Sequence, residues 1–413
     1  MQSRLPVRLA YRLHEQLRGT WWAALLVSGY GLASFLTIAA PRNRRARVLV
    51  VATHENARRQ VDRVSAWIGM ADCDSLAIRP GAITGAAGLV HLARASRRRR
   101  LVRSLRILRA IDRQHGFLVS CRAAAAMAWY DRSKDILGAR RPDAVLVSSD
   151  SNPEEVAFVA AARALAIAQV FVSHAYPTPL SPPLDFDLSI LEGEAAVTAR
   201  RRTGRIRGAV LLAGIEGQSA PLDPHRFTRP KPVIGIFTPK AIAWPTLQAM
   251  VDDCRRHFDA RLVVIRWHPS MLEPPRLAER LTDLSRVVES AKSATVQEVA
   301  EQCDWVIAAE NSNVHLPVLK LGIPTVVVRG LGIYPEHRSD LYGFIANQVV
   351  FPSVASVRDI QADALMAFYS AQWQRRFQAY DAAYLRHEET IAMEVRGAIR
   401  GFFHDAAAKA AVC

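Results

Sequence analysis

AVLVSSD (144–150), PEEVAFVAAARALA (153–166) and QVFVSHA (169–175) follow one another with almost no chain between them. The first and third runs are apolar and β-branched, of strand length, and end in polar residues. The middle run has the length and composition of a helix. A strand that is apolar on both faces, then a helix, then a second such strand is the crossover unit of a parallel α/β sheet.

The same alternation extends in both directions. Upstream, VLVVA (48–52) ends in the polar loop THEN (53–56); downstream, LSILEGE (188–194) closes the half as its last strand. The turn-rich AGIEGQSAPLDPHRFTRPKP (213–232) marks a boundary. Beyond it the pattern restarts with VIGIFTP (233–239), a helix from Trp244 to Arg256, RLVVIRWHP (261–269), a helix near Pro274–Leu284 and VVES (287–290). It continues with a helix Thr295–Gln302, DWVIAAEN (304–311), a helix Val314–Leu321, PTVVV (324–328) and a helical tract from Val357 onward. The fold class predicted is α/β, with two Rossmann-like doubly wound domains facing a cleft and an N-terminal apolar helix before them. The segments are 1–46, 47–215, 216–350 and the C-terminal helices 351–413.

The chain has 413 residues and a formal charge of +16, and the charge is regional. Residues 1–120 hold 21 basic and 6 acidic side chains, whereas residues 121–413 hold 33 and 32. Such a length and 50% hydrophobic content exclude a small disulfide scaffold and an acidic disordered tail. The cysteines Cys73, Cys121, Cys254, Cys303 and Cys413 are far apart with no CxxC pair, which fits a reducing compartment.

Thr20–Ala40 carries no charge for 21 residues, about 31 Å as a helix, at the lower limit for crossing a bilayer core. Arginines flank it on both sides, so the positive-inside rule gives no orientation. Three placements fit: a helix lying on the membrane face, a single span, or a helix buried against the protein. Residues 91–116 read as a cationic amphipathic helix, with Leu101, Leu105 and Leu108 on one side and Arg99, Arg103, Arg106 and Arg113 opposite. That pattern suits an anionic lipid surface or a core helix with a solvated Arg face. No interleaved aromatics, RNA-binding signature or zinc finger accompany it, which argues against nucleic acid.

Polar residues at strand ends are the chemical candidates, because ligands of doubly wound sheets bind outside the carboxyl ends of the strands. His268, in Arg266-Trp267-His268-Pro269, can donate to a phosphate oxygen with Arg266 close in sequence. Glu310-Asn311-Ser312-Asn313 lies between a strand and a helix, with Ser312 or Asn313 the expected N-cap and free N–H groups for an anion. His174 ends a strand of the first half and suits a general base acting on a hydroxyl. His54, Glu55 and Asn56, Ser149 and Asp150, and Glu192 and Glu194 form a further set. Neither GxxxxGK[ST] nor GxGxxG occurs, and Asp185-Phe186-Asp187 is too short and common a pattern to mark a metal site. The site reads as metal-free.

Several of these residues together resemble the GT-B glycosyltransferases, and among them the capsule-polysaccharide and CDP-glycerol glycerophosphotransferase type. They are the apolar helix ending in Pro41-Arg42, His174 at a strand end, Arg266-x-His268-Pro269, and Cys303-Asp304-Trp305-Val306-Ile307 leading to Ser312 and then Lys320-Leu321-Gly322-Ile323-Pro324. This chain departs from the group in having Ala175 where Gly follows the first-domain histidine, and Asn311-Ser312-Asn313 where a Ser-Ser pair is usual. The resemblance implies a membrane-associated transferase that moves a sugar from a nucleotide-activated co-substrate, with no other cofactor, to a lipid-linked or polysaccharide acceptor at the cytoplasmic face of the inner membrane. It places the acceptor in 47–215, with His54, Glu55, Asp150 and Glu192 as secondary contacts, and the nucleotide donor in 216–350. His174 and His268 would be catalytic, with Arg266, Glu310, Asn311, Ser312 and Asn313 on the donor. A polyol-phosphate transferase, a nucleotide-sugar epimerase and a non-catalytic membrane scaffold are the alternatives.

Overall fold

The structure, a computed structural model, describes residues 14–34, 46–76, 98–178, 181–215, 219–271, 276–333 and 340–412. Among the described residues are two six-stranded sheets in which every neighbouring pair is parallel. The first comprises β1 (Val48–Val51), β2 (Cys73–Leu76), β3 (Ala144–Val147), β4 (Ala168–Val172), β5 (Asp185–Leu191) and β6 (Arg207–Leu212), in the order β2-β1-β3-β4-β5-β6. The second comprises β7 (Val233–Phe237), β8 (Leu262–Arg266), β9 (Val287–Glu289), β10 (Trp305–Ala308), β11 (Thr325–Val328) and β12 (Phe351–Val354), in the order β12-β11-β10-β7-β8-β9. The second is the Rossmann strand order.

The continuous apolar runs are strands because both their faces are covered. Val48 and Val50 of β1 face Ala57, Val61 and Val64 of the helix Glu55–Ile68, whereas Leu49 and Val51 face Trp129, Leu137 and Phe158 on the opposite side. Both edge strands of the first sheet went unread in the sequence. β2 alternates buried and solvent-facing residues, and β6 is exposed along its first four, so neither shows as an apolar run. β5 is therefore not the last strand of its half. The second sheet also takes β12 from beyond residue 350, inside the segment read as C-terminal helices.

Those C-terminal helices are not a separate unit. The last of them, Glu388–Val412, returns to the first sheet, where Ile391, Val395 and Ile399 join Ala57 and Val61 in one core. The chain crosses over at Ala379–Tyr380, directly on Gly193: a Cβ there would lie 2.5 Å from the Ala379 carbonyl oxygen and 2.6 Å from that of Tyr380. Beside the crossover, the rings of Tyr176 and Tyr380 stack at 4.9 Å, and Asn347 Nδ2 donates to the Tyr176 hydroxyl at 3.0 Å.

At the N-terminal side, helices Trp21–Ser34, Arg98–His115 and Phe117–Arg140 pack on one another through Ala24, Val27, Leu108, Cys121 and Ala124. Asp112 pins the chain leading into them, accepting from the Gly19 N–H at 2.6 Å and the Ser120 hydroxyl at 3.2 Å, with His14 Nε2 at 2.5 Å. The apolar stretch Thr20–Ala40 is thus helical over Trp21–Ser34 and covered on one side by protein; residues 35–40, with Pro41 and Arg42, lie outside the described residues. No helix among the described residues is long and apolar enough to cross a membrane. The amphipathic helix read over 91–116 is observed as Arg98–His115; residues 91–97 and the side chains of Arg99 and Leu101 are likewise outside the described set. Leu108 is buried against Ala24 and Val27, while Arg103, Arg106 and Arg113 remain exposed, as in a core helix with a solvated Arg face.

Candidate active site at the strand ends

In each sheet the chain first builds outward and then returns to the other side of its starting strand. The points of reversal lie between β1 and β3 and between β7 and β10. Loops beyond the carboxyl ends of such strand pairs form a crevice, because they diverge to opposite faces of the sheet.

At the first crevice His54 follows β1, and His174 follows β4, which is separated from β1 only by β3. Their rings lean over the end of β3 and meet, with Nε2 to Nε2 at 3.2 Å and an edge-on angle of 76°. His174 Nδ1 is 2.6 Å from the Ser148 carbonyl oxygen, and His54 Nδ1 is 3.2 Å from Asn152 Nδ2. Beneath them Glu155, in the first turn of the helix Pro153–Ala164, is fully buried and accepts from Thr53 N–H, Thr53 Oγ1, Ser148 N–H and Ser149 N–H. One carboxylate thereby ties together the loops after β1 and β3. Burial pushes its pKa up, and those hydrogen bonds pull it back. His54 is held below the usual imidazole range, first by burial and then by the neighbouring His174. An imidazole nitrogen with a free lone pair at this crevice can take a proton from a hydroxyl.

Glu155 and Asn152 were not read as site residues from the sequence. Their signal was positional: Asn152 is the N-cap and Glu155 the third helical residue after it, where a carboxylate can reach back to the preceding loop.

The remaining first-half candidates are placed elsewhere. Glu55 is exposed and pairs with Arg59 one helical turn on, at 3.5 Å, and the Asn56 side chain lies outside the described residues. Asp150 is engaged by Arg200, which is 4% exposed, in an ion pair. The Asp185 carboxylate pairs with Arg163 at 2.7 Å and Asp187 accepts from the Gln169 N–H at 2.8 Å, both from within the sheet. Among the described residues no group of three or more His, Cys, Asp or Glu side chains is arranged to hold a metal ion.

Glu192 is buried as well, which corrects its reading as an acceptor contact. Its Oε1 accepts from Ser173 Oγ at 2.5 Å, its Oε2 has no hydrogen-bond partner among the described residues, and burial pushes its pKa up to about 7. An acid whose folded pKa lies above its unfolded value of 4.5 destabilises the fold only where it must ionise. Below about pH 4.5 nothing is lost; between 4.5 and 7 the native state keeps a proton that the unfolded chain releases; above 7 the full loss, roughly 3 kcal/mol, is present. Glu192→Gln is therefore expected to match the wild type near pH 4 and to unfold at a higher temperature at pH 8. Equal midpoints at pH 8 would contradict this.

At the second crevice His268 follows β8, two residues past its end. Its Nδ1 accepts from the Ser270 N–H at 3.2 Å, with the Ser270 hydroxyl at 2.8 Å. The neutral ring then carries its hydrogen on Nε2, as a donor to an anionic oxygen requires. Arg266 turns under the strand end: its guanidinium lies 5.6 Å over the Phe237 ring and Nη2 donates to the Ala294 carbonyl at 3.3 Å, while Nε has no partner among the described residues. Burial lowers its pKa. It contributes positive charge from behind the loop.

The loop after β10 differs from expectation. Glu310 is buried, Asn311 and Ser312 are half-buried and Asn313 is exposed, but the following helix is only His315–Lys320, with Val314 at its N-cap and no side-chain cap. Neither Ser312 nor Asn313 is the cap. His315 fills the space behind them, bonded to Thr325 Oγ1 at 2.9 Å and the Ala309 carbonyl at 3.2 Å, with its pKa pushed down to about 4 by burial. It is a neutral structural histidine.

An open groove of about 540 Å³ lies at the other end of the first sheet, before and along β6, lined by Arg201, Arg205 and Ile206 among others. It is remote from the strand-end loops.

No protein-family model and no curated protein matches the chain. Among solved structures it is similar to a UDP-glucosyltransferase from Polygonum tinctorium, at 10% identity over 87% of this chain and 98% of that one, with a TM-score of 0.49. A UDP-GlcNAc 2-epimerase from Methanocaldococcus jannaschii is similar at 10% identity over 84% and 99%, with a TM-score of 0.46. A glycosyltransferase from Streptomyces nogalater is similar at 16% identity over 89% and 100%, with a TM-score of 0.37. At such identities the reading of the site rests on its own residues.

Proposed function

We propose that the protein transfers a sugar from a nucleotide-activated donor to the hydroxyl of a lipid-linked or surface-polysaccharide acceptor, at the cytoplasmic face of a membrane. The observation that carries this reading is the meeting of His54 and His174, Nε2 to Nε2 at 3.2 Å, at the carboxyl ends of β1 and β4. In the reaction the acceptor hydroxyl gives its proton to His174 Nε2, its oxygen bonds to the sugar carbon, and the bond from that carbon to the donor phosphate breaks. The electron pair leaves with the nucleotide phosphate, whose charge meets the Nε2–H of His268 and the buried Arg266.

The membrane reading is supported by an exposed apolar group where the three N-terminal helices begin or end. Trp22 is 69% and Leu118 73% exposed, with Trp21, Leu25 and Val119 also outward. Arg109 lies 4.8 Å over the Trp21 ring, and Arg18, Arg113 and Arg122 are exposed nearby. Tryptophan with arginine suits the headgroup region of an anionic bilayer.

The test has two arms. UDP, CDP or CMP compounds are expected to raise the thermal midpoint, and His268→Ala to abolish both that shift and transfer while the protein stays folded. The wild type is expected to sediment with phosphatidylglycerol vesicles and not with phosphatidylcholine ones. Stabilisation by no nucleotide would refute the transferase, an epimerised sugar nucleotide as product would replace it with an isomerase, and indifference to vesicle charge would refute the membrane arm.

A further inference from the structure

The direction of the hydrogen bonds around the histidine pair can be followed from one end to the other. A carboxylate only accepts, so Glu155 fixes its neighbours as donors. Thr53 Oγ1 gives its hydrogen to Glu155 Oε1 at 2.7 Å. With that hydrogen committed, Thr53 Oγ1 can only accept, and Asn152 Nδ2 donates to it at 2.6 Å. The amide is held this way round because Asn152 Oδ1 accepts from Arg122 Nη2 at 3.4 Å. The same Nδ2 lies 3.2 Å from His54 Nδ1, which is therefore an acceptor. His54 Nδ1 is also 3.4 Å from Thr53 Oγ1, whose only hydrogen is already given to Glu155, so Thr53 has none to offer it.

A neutral His54 then carries its hydrogen on Nε2, aimed at His174 Nε2 at 3.2 Å. His174 Nδ1, 2.6 Å from the Ser148 carbonyl, must carry the hydrogen of that ring, which leaves Nε2 bare. Both ends of the chain agree: the carbonyl at one end and the carboxylate at the other impose the same polarity on the two rings.

We infer that Glu155 is a positioning residue that, through Thr53, Asn152 and His54, holds His174 in the tautomer with a bare Nε2, the one a general base needs. An acceptor hydroxyl takes the place of the His54 N–H at that lone pair. The chemical meaning rests on His174 being the base, whereas the tautomers themselves are read without turnover.

Ring-nitrogen NMR of the full-length 15N-labelled protein tests this. In the wild type, His54 is expected to show a protonated Nε2 and a bare Nδ1, and His174 the reverse. Glu155→Gln puts an N–H where an acceptor stood and is expected to remove the single tautomer at His54. Should that buried substitution prevent folding, Asn152→Asp decides. Asp still serves as an N-cap but offers His54 only acceptors, so the His54 proton is expected to move to Nδ1. A wild-type His54 protonated on Nδ1, or wild-type tautomers retained in the folded variants, would overturn the inference. Absence of sugar transfer in a wild type with the stated tautomers would refute the proposed reaction and leave the positioning role standing.

Discussion

His174→Ala is expected to slow transfer by about 10²- to 10⁴-fold, the usual contribution of a positioned general base. The fold should survive, because the ring is half-buried at a loop and the Ser148 carbonyl it leaves is open to replacement by water. A base acts only as the hydroxyl loses its proton. The loss should therefore fall on kcat, with nucleotide affinity in a thermal-shift titration unchanged. Added imidazole should restore part of the lost rate, because it supplies the missing lone pair, whereas a merely structural effect such as a loosened loop would not respond to it. Activity within about threefold of wild type would remove His174 from the mechanism.

The strands that carry the site were legible for a physical reason. VLVV, AVLV, VIGIF, WVIA and TVVV are buried on both faces, and burial on both faces leaves no polar residue to interrupt the run. β2 and β6 have a solvent side and lacked that signature. His54 and His174 stood out as polar residues at strand ends, but their meeting did not. It requires β1 and β4 to be separated by β3 alone, and strand order is not written in local pattern. Asp150 and Glu192 looked equivalent to the histidines by position, and the difference lies in what packs on them: Arg200 for one, Ser173 and a dry interior for the other. Ser312 and Asn313 illustrate a further limit. The sequence after β10 favours a cap there, yet the turn runs on to Val314 because His315 is drawn inward to Thr325.

The largest expected loss of stability belongs to Lys320→Ala. Lys320 is 3% exposed and Asp381 0%, with Nζ and Oδ2 at 3.1 Å. Around this pair three remote segments converge. Lys320 Nζ donates to the Ile215 carbonyl at 2.6 Å, and Asp381 Oδ1 accepts from the N–H groups of Ile215 at 2.8 Å and Ala383 at 3.0 Å. Ile215 ends the first half, Lys320 belongs to the second, and Asp381 sits where the chain crosses back toward the helix Glu388–Val412. Gly214 makes room for it: a Cβ there would lie 2.1 Å from the Ala383 nitrogen. Removing one member of a buried ion pair leaves the other charge uncompensated and costs about 3–5 kcal/mol. The variant should melt earlier, and amide exchange should rise along 388–400 as the returning helix loosens from Ala57 and Val61. Lys320→Met combined with Asp381→Asn removes both charges at similar volume and should recover most of the loss, because desolvating the pair offsets much of its attraction. A single variant as stable as wild type, or a double variant no better than the single one, would show that the charge pair is not what fastens the two halves together.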